Sequence, residues 1–225
     1  MIDALLFDND GLLLDTESVF FELTRTHFAG YGIALTEEYW AEEYLGNAKR
    51  SFEIAADLGM DHALVGPLIE RRNREYRELI GKDIPVRPDV LETLQALTGR
   101  VKLAMVTGSP RDQIYMMHRE SGLLDFFEVI VTEDEVEHPK PHPEPYLLAL
   151  DALGVAPGEA LAVEDSLRGF ASAHAAGIAC VVVPNSLTRL QRFERAFAVE
   201  ESIAGVLKHV VFRCDRTEPF STYSL

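Results

Sequence analysis

The sequence predicts an α/β protein: a parallel sheet with helices on both faces, interrupted after its first strand by an inserted four-helix unit. Two observations carry this. Short, β-branched, almost wholly apolar runs alternate with longer amphipathic stretches, the pattern of strands buried on both faces and joined by crossover helices. Between the first two runs the strand signal disappears and helical periodicity takes over.

In chain order the strand runs are Ile2 to Phe7, Val101 to Val106, Val129 to Thr132, Ala160 to Val163 and Ile178 to Val183. The insertion reads as helices over Glu17 to Tyr31, Thr36 to Leu45, Arg50 to Leu58 and Asp61 to Ile80, broken at Gly30, Gly32, Gly46, Gly59 and Gly81, and four such helices make a small bundle. Lys82 to Pro88 returns the chain to the sheet and pairs as a hinge with Leu14 to Glu17. Residues 1–15 and 84–211 are therefore expected to form the core and residues 16–83 a cap. Residues 212–225 lose periodicity and are expected to be a disordered tail.

A chain of 225 residues with 47% hydrophobic and 26% charged side chains can bury a sizeable core without staples. Cys180 and Cys214 lack the spacing of a zinc knuckle or redox pair, which suits a reducing compartment. The N-terminus has no basic flank or cleavage site, and no apolar run is long enough to cross a bilayer, so the cytoplasm is the default location. Twenty-one basic against thirty-seven acidic residues, a formal charge of −16, repel nucleic acid and anionic membranes. A small phosphorylated substrate remains compatible, because a metal and a few cations can reverse the field inside one pocket. Nothing in the sequence sets the oligomeric state; a monomer is the default expectation.

The first strand ends in Phe7-Asp8-Asn9-Asp10-Gly11, which delivers two carboxylates to the carboxyl edge of the sheet, where ligands gather in open parallel sheets. A polar loop with a capping aspartate is the alternative. The second strand ends in Val106-Thr107-Gly108-Ser109-Pro110. Its hydroxyl and backbone N–H groups suit an anion, though Ser109 before Pro110 is equally an ordinary N-cap. After the third strand comes an acidic run, and then His138-Pro139-Lys140-Pro141-His142-Pro143, whose prolines forbid a helix and hold Lys140 in an extended loop. His138 and His142 would share a face only in a helix, so they are read as non-ligands. The fourth strand ends in Glu164-Asp165-Ser166, with Gly169 following.

Capping accounts for any one of these sites, but not for acids on two strand ends with a proline-locked lysine between them. Magnesium takes hard oxygen ligands and commonly bridges carboxylates to phosphate. Asp8 and Asp165 could supply such ligands, with Lys140 offsetting charge on the transferring group.

These four motifs, in this order over roughly residues 1 to 211, resemble the haloacid dehalogenase superfamily, and the helical insertion resembles its phosphatase and β-phosphoglucomutase branch. The resemblance implies a Rossmann-like core with a mobile cap and Mg2+ as cofactor. It makes Asp8 the nucleophile that forms an aspartyl-phosphate and also a metal ligand. Asp10 would be the general acid and base, with its carbonyl on the metal, and Asp165 and Glu164 would be further ligands, Glu164 directly or through water. Thr107 and the N–H groups of Asn9 and Gly108 would hold phosphate oxygens, and Lys140 would pair with nucleophile and phosphate.

Asp10 argues against a dehalogenase and against the family's phosphonate hydrolases, which lack that aspartate. Phe20 stands where the mutases carry a histidine that gates attack by sugar rather than water, so a phosphatase is favoured over a sugar phosphomutase. A non-catalytic phosphate-binding module is the reading from another class, and the intact motifs disfavour it. For the cap, Asn47, Lys49 and Arg72 are the expected substrate contacts; the charges around Arg71 and Arg72 equally fit an exposed salt-bridged helix.

Overall fold

The structure is a computed structural model and describes residues 1–82 and 84–210; the expectation for residues 212–225 lies outside the described residues. Six strands form one parallel sheet in the order β3-β2-β1-β4-β5-β6: β1 (Ala4–Phe7), β2 (Lys102–Val106), β3 (Val129–Val131), β4 (Ala160–Glu164), β5 (Ala179–Val182) and β6 (Ala198–Val199). Five correspond to the runs read from the sequence. The sixth is a two-residue edge strand, too short to leave a periodic signal.

Alternation along β1 explains the layers. Leu5 and Phe7 face one side, where they pack with α5 (Val90–Leu97) and α6 (Arg111–Met117). Ala4 and Leu6 face the other, against α7 (Glu144–Leu153) and α8 (Leu167–Ala175). All four are fully buried, as a strand covered on both faces requires. Register places Phe7 beside Met105 on β2 and Val163 on β4. The ends of β1, β2 and β4 therefore lie side by side at one edge, and that is what brings the motifs together.

Between β1 and β2 come α1 (Thr16–Ala29), α2 (Glu37–Glu43), α3 (Ser51–Asp57) and α4 (His62–Ile80). Thr36 caps α2 by accepting from the Tyr39 N–H at 3.2 Å, and Asp61 caps α4 by accepting from Ala63 at 2.9 Å, each satisfying an orphan donor of a first turn. The four helices bury a cluster of their own that includes Phe21, Phe28, Trp40, Leu45, Ile54 and Leu68. Leu187, from the loop after β5, joins it, so the insertion also rests on the sheet layer. The two connecting segments are bonded to each other: Leu14 bridges Val86, the Asp15 N–H donates to the Pro85 carbonyl at 3.0 Å, and the Arg87 N–H donates to Leu13 at 2.9 Å.

Candidate active site

Asp8 is the first residue after β1 and Lys140 reaches it from the proline-rich loop before α7. The three protons of the Lys140 ammonium are matched by three acceptors: Asp8 Oδ1 at 2.7 Å, Glu164 Oε1 at 2.6 Å and the Val106 carbonyl at 2.8 Å. A buried ammonium needs such a full set. Burial pulls its pKa down, but Asp8 and Glu164 outweigh burial and hold it above the usual lysine range.

Glu164 ends β4. Its Oε1 also accepts from the Tyr146 hydroxyl at 2.5 Å, while its Oε2 is buried with no partner. Gly169 is required beside it, because any Cβ there would coincide with this carboxylate. Asp165 Oδ2 accepts from Asn185 Nδ2 at 2.7 Å. Gly11, at φ +79°, leaves room for both groups, since its Cβ would collide with them. Oxygens of Asp8, Glu164 and Asp165 lie within 4.8 Å of one another, all three residues buried. Three buried carboxylates with one lysine leave an excess of two negative charges, and one ligand oxygen is an orphan. That donor set fits a divalent cation that prefers oxygen. Burial pushes the Asp8 carboxyl up to about 7 against the pull of Lys140, and burial with the Asp8 and Glu164 charges raises Asp165 well above the usual range.

Asp10 lies across from this group. Its Oδ1 accepts from the Thr16 hydroxyl at 2.8 Å and its Oδ2 from Thr107 at 2.9 Å and Ser109 at 2.8 Å. Ser109 is thus not the expected N-cap. Pro110 precedes the first turn of α6, Asp134 accepts the Arg111 N–H at 2.7 Å, and the serine hydroxyl is turned onto Asp10. Thr107, buried, accepts from the Ser109 N–H and sits behind Asp10. The N–H groups of Asn9 and Gly108 find no acceptor among the described residues, as donors awaiting an anion would.

The Asn9 side chain points away, its Oδ1 accepting from His118 Nε2 at 2.7 Å while His118 Nδ1 accepts from Ser121 at 2.9 Å. Burial lowers His118 to about 4, so the ring is neutral. The Asn9 carbonyl receives the N–H groups of Leu12, Leu13 and Leu14. His118 therefore fixes the residue on which the whole loop after β1 turns. Sequence reasoning missed it, since a histidine at the end of an amphipathic helix carries no distinguishing signal.

A cavity of about 600 Å3 opens over these groups. From the helical side come Glu17, Phe20, Tyr44, Arg50, Asn73, Tyr76 and Arg77, and from α8 comes Arg168. None of the three expected cap contacts lines it. Asn47 donates to Glu43 at 3.2 Å, and Lys49 pairs with Glu43 and Asp57 at 2.6 and 2.7 Å on the surface. Arg72 is 2% exposed, inside the helical cluster. It donates to Thr24, Ser51 and Asn73, and its guanidinium lies 4.1 Å from the Phe20 ring centroid. It is a scaffold of the insertion, which corrects both the substrate reading and the exposed-helix reading for this residue; Arg71, paired with Glu75 at 3.8 Å, keeps the latter.

No described helix is long and apolar enough to cross a membrane. The profile of the family described as haloacid dehalogenase-like hydrolase matches residues 5–183. The chain is 38% identical over 200 residues to the Bacillus subtilis protein named "Putative phosphatase YhcW", covering 86% of this chain and 89% of that one. It is 33% identical over 223 residues to the "Phosphorylated carbohydrates phosphatase" of Thermotoga maritima, covering 93% of this chain and all of that one. The crystal structure of CbbY from Rhodobacter sphaeroides in complex with phosphate superposes with a TM-score of 0.73 at 28% identity, over 92% of this chain and 96% of that one. With Asp8, Glu164 and Asp165 gathered at the ends of β1 and β4 and Lys140 reaching them from the loop before α7, the chain belongs to the haloacid dehalogenase-like hydrolases, on their phosphatase branch.

Proposed function

We propose that the chain is a Mg2+-dependent phosphatase that hydrolyses a small phosphorylated metabolite through an aspartyl-phosphate on Asp8. The observation that carries this reading is the placement of two carboxylates with unlike surroundings at one cavity. Asp8 is held at 2.7 Å by a buried ammonium, and Asp10 is held by three hydroxyls. Asp8, Glu164, Asp165 and the Asp10 carbonyl would hold Mg2+, which would offset charge on the phosphoryl group and on the nucleophile.

An Asp8 carboxylate oxygen attacks phosphorus, and the bond from phosphorus to the substrate's ester oxygen breaks. Asp10 donates its proton to that departing oxygen. Asp10, now a carboxylate, takes a proton from water, which attacks the phosphorus of the aspartyl-phosphate. Inorganic phosphate leaves and Asp8 is restored. Lys140 and the N–H groups of Asn9 and Gly108 steady the phosphoryl oxygens. A cavity of about 600 Å3 suits a metabolite rather than a polymer.

Phe20 supports water as acceptor: its ring packs 4.8 Å from that of Tyr76 and 5.6 Å from Tyr44, and it offers no proton acceptor to a sugar hydroxyl. Phosphate release from a panel of phosphorylated metabolites, with and without Mg2+, tests the reading. Asp8→Asn is expected to abolish Mg2+-dependent release; near-wild-type turnover by that variant would overturn the assignment.

A further inference from the structure

The loop that carries Lys140 inward carries two imidazoles outward. From the spacing alone His138 and His142 were expected to diverge, yet the structure brings them together without a helix. Their ring centroids are 4.6 Å apart, and both face the Glu144 carboxylate at the start of α7. His138 Nδ1 lies 2.8 Å from Glu144 Oε2; His142 Nδ1 lies 3.8 Å from the same oxygen and accepts the Glu144 N–H at 3.2 Å, a bond that metal ligation through this nitrogen would replace, and one ligand atom from each residue lies within 4.8 Å of the others.

We infer that His138, His142 and Glu144 form a second metal site, for a borderline-soft transition ion such as Zn2+, that clamps the loop bearing Lys140. Geometry and chemistry both carry this. Tetrahedral Zn2+ with bonds of about 2.0–2.1 Å sets its ligand atoms about 3.3 Å apart, and the two measured separations fall half an ångström to either side. Two imidazoles and one carboxylate select Zn2+, Co2+ or Ni2+ over Mg2+, unlike the all-oxygen group around Asp8.

The ligands are also held in advance. Glu144 accepts the N–H groups of Glu137 and His138 at 2.7 and 3.1 Å, and Ser172 donates to the His142 carbonyl at 2.6 Å. Pro139, Pro141 and Pro143 restrict the intervening backbone. Both histidines are exposed, so an ion can enter and water can complete its shell. Glu133, Asp134, Glu135 and Glu137, in the same connection, raise the local concentration of cations.

Calorimetric titration of the Mg2+-saturated protein with Zn2+ tests the site. One Zn2+ per chain is expected to bind, and to raise the thermal midpoint. His138→Ala and His142→Ala are each expected to weaken binding at least ~10-fold, with unchanged midpoints in the absence of zinc. His138→Gln, closer in size, guards against a packing effect. Asp165→Asn, which alters only the catalytic group, is expected to keep the zinc affinity. The inference fails if Mg2+-saturated protein takes up no Zn2+, if the histidine variants bind it as the wild type does, or if Asp165→Asn abolishes binding.

Discussion

Glu17 is a cavity acid that the catalytic scheme leaves unused, and its protonation makes a quantitative prediction. Burial is the main cause that raises its pKa from 4.5 to about 8; Asp10, Asp8 and Asp15 add to the rise and Arg168 opposes it. Its Oε2 is buried without a partner. Between pH 4.5 and 8 the folded chain keeps a proton that the unfolded chain has lost, so stability falls as pH rises through that window and levels off above it. The slope is about 1.4 kcal/mol per pH unit. From about pH 5.5 to 7.5 that amounts to about 2.7 kcal/mol, reduced to about 1–2 kcal/mol once water in the cavity screens the charge. Glu17→Gln keeps the shape and cannot ionise. Urea denaturation of both proteins across this range, without metal, is expected to show the variant gaining on the wild type by that amount as pH rises. Parallel stability curves would refute the reasoning.

Gly169→Ala reverses the usual helical preference. Alanine normally gains ~1 kcal/mol over glycine in a helix, but here the new Cβ displaces Glu164 from Lys140 and Tyr146. A net loss of about 3 kcal/mol in urea denaturation and a weakened Mg2+ dependence of turnover are expected. Lys140→Met leaves Asp8, Glu164 and Asp165 without their cation, a loss of about 3–5 kcal/mol; the loss is expected to be smaller in Mg2+ than in EDTA when thermal midpoints are compared. His118→Leu leaves the buried Asn9 amide without any partner, a cost of about 1–3 kcal/mol. The Asn9→Leu/His118→Leu double variant is expected to lose less than the sum of its parts, and strict additivity would show that the pair is not coupled.

The sheet was legible because strands buried on both faces are apolar throughout, and the site was legible because its acids sit at strand ends, which follow directly from the strand assignments. The helical side was less so. Arg72 lies among charges in sequence, yet it continues the stripe Val65, Leu68, Arg72, Tyr76, Ile80 that buries one face of α4. That spacing was the available signal; what it could not supply were Thr24, Ser51 and Phe20, which arrive from two other helices to receive the guanidinium. Tyr146 is similar: it reads as one more apolar position on α7, and only the fold puts its hydroxyl on Glu164. His138 and His142 failed differently, because the rule that residues four apart converge only on a helix ignores what a proline-rich turn can do.

The cavity also resolves how a chain of formal charge −16 can receive a phosphorylated anion. Long-range attraction is not available, so selectivity has to be local. Lys140 holds the Asp8 carboxylate, and Arg50 and Arg77 from the helical side and Arg168 from α8 line the same cavity. Arg168 lies 5.7 Å from the Tyr44 ring centroid and makes no hydrogen bond among the described residues, so its donors are available to a ligand. Such cations act over a few ångströms inside a partly enclosed cavity, where they count for more than the diffuse acidity of the surface. The helical insertion is therefore part of the electrostatic site as well as its cover: the sheet edge alone presents carboxylates and one lysine, and two of the cations that would face an anionic substrate belong to the insertion.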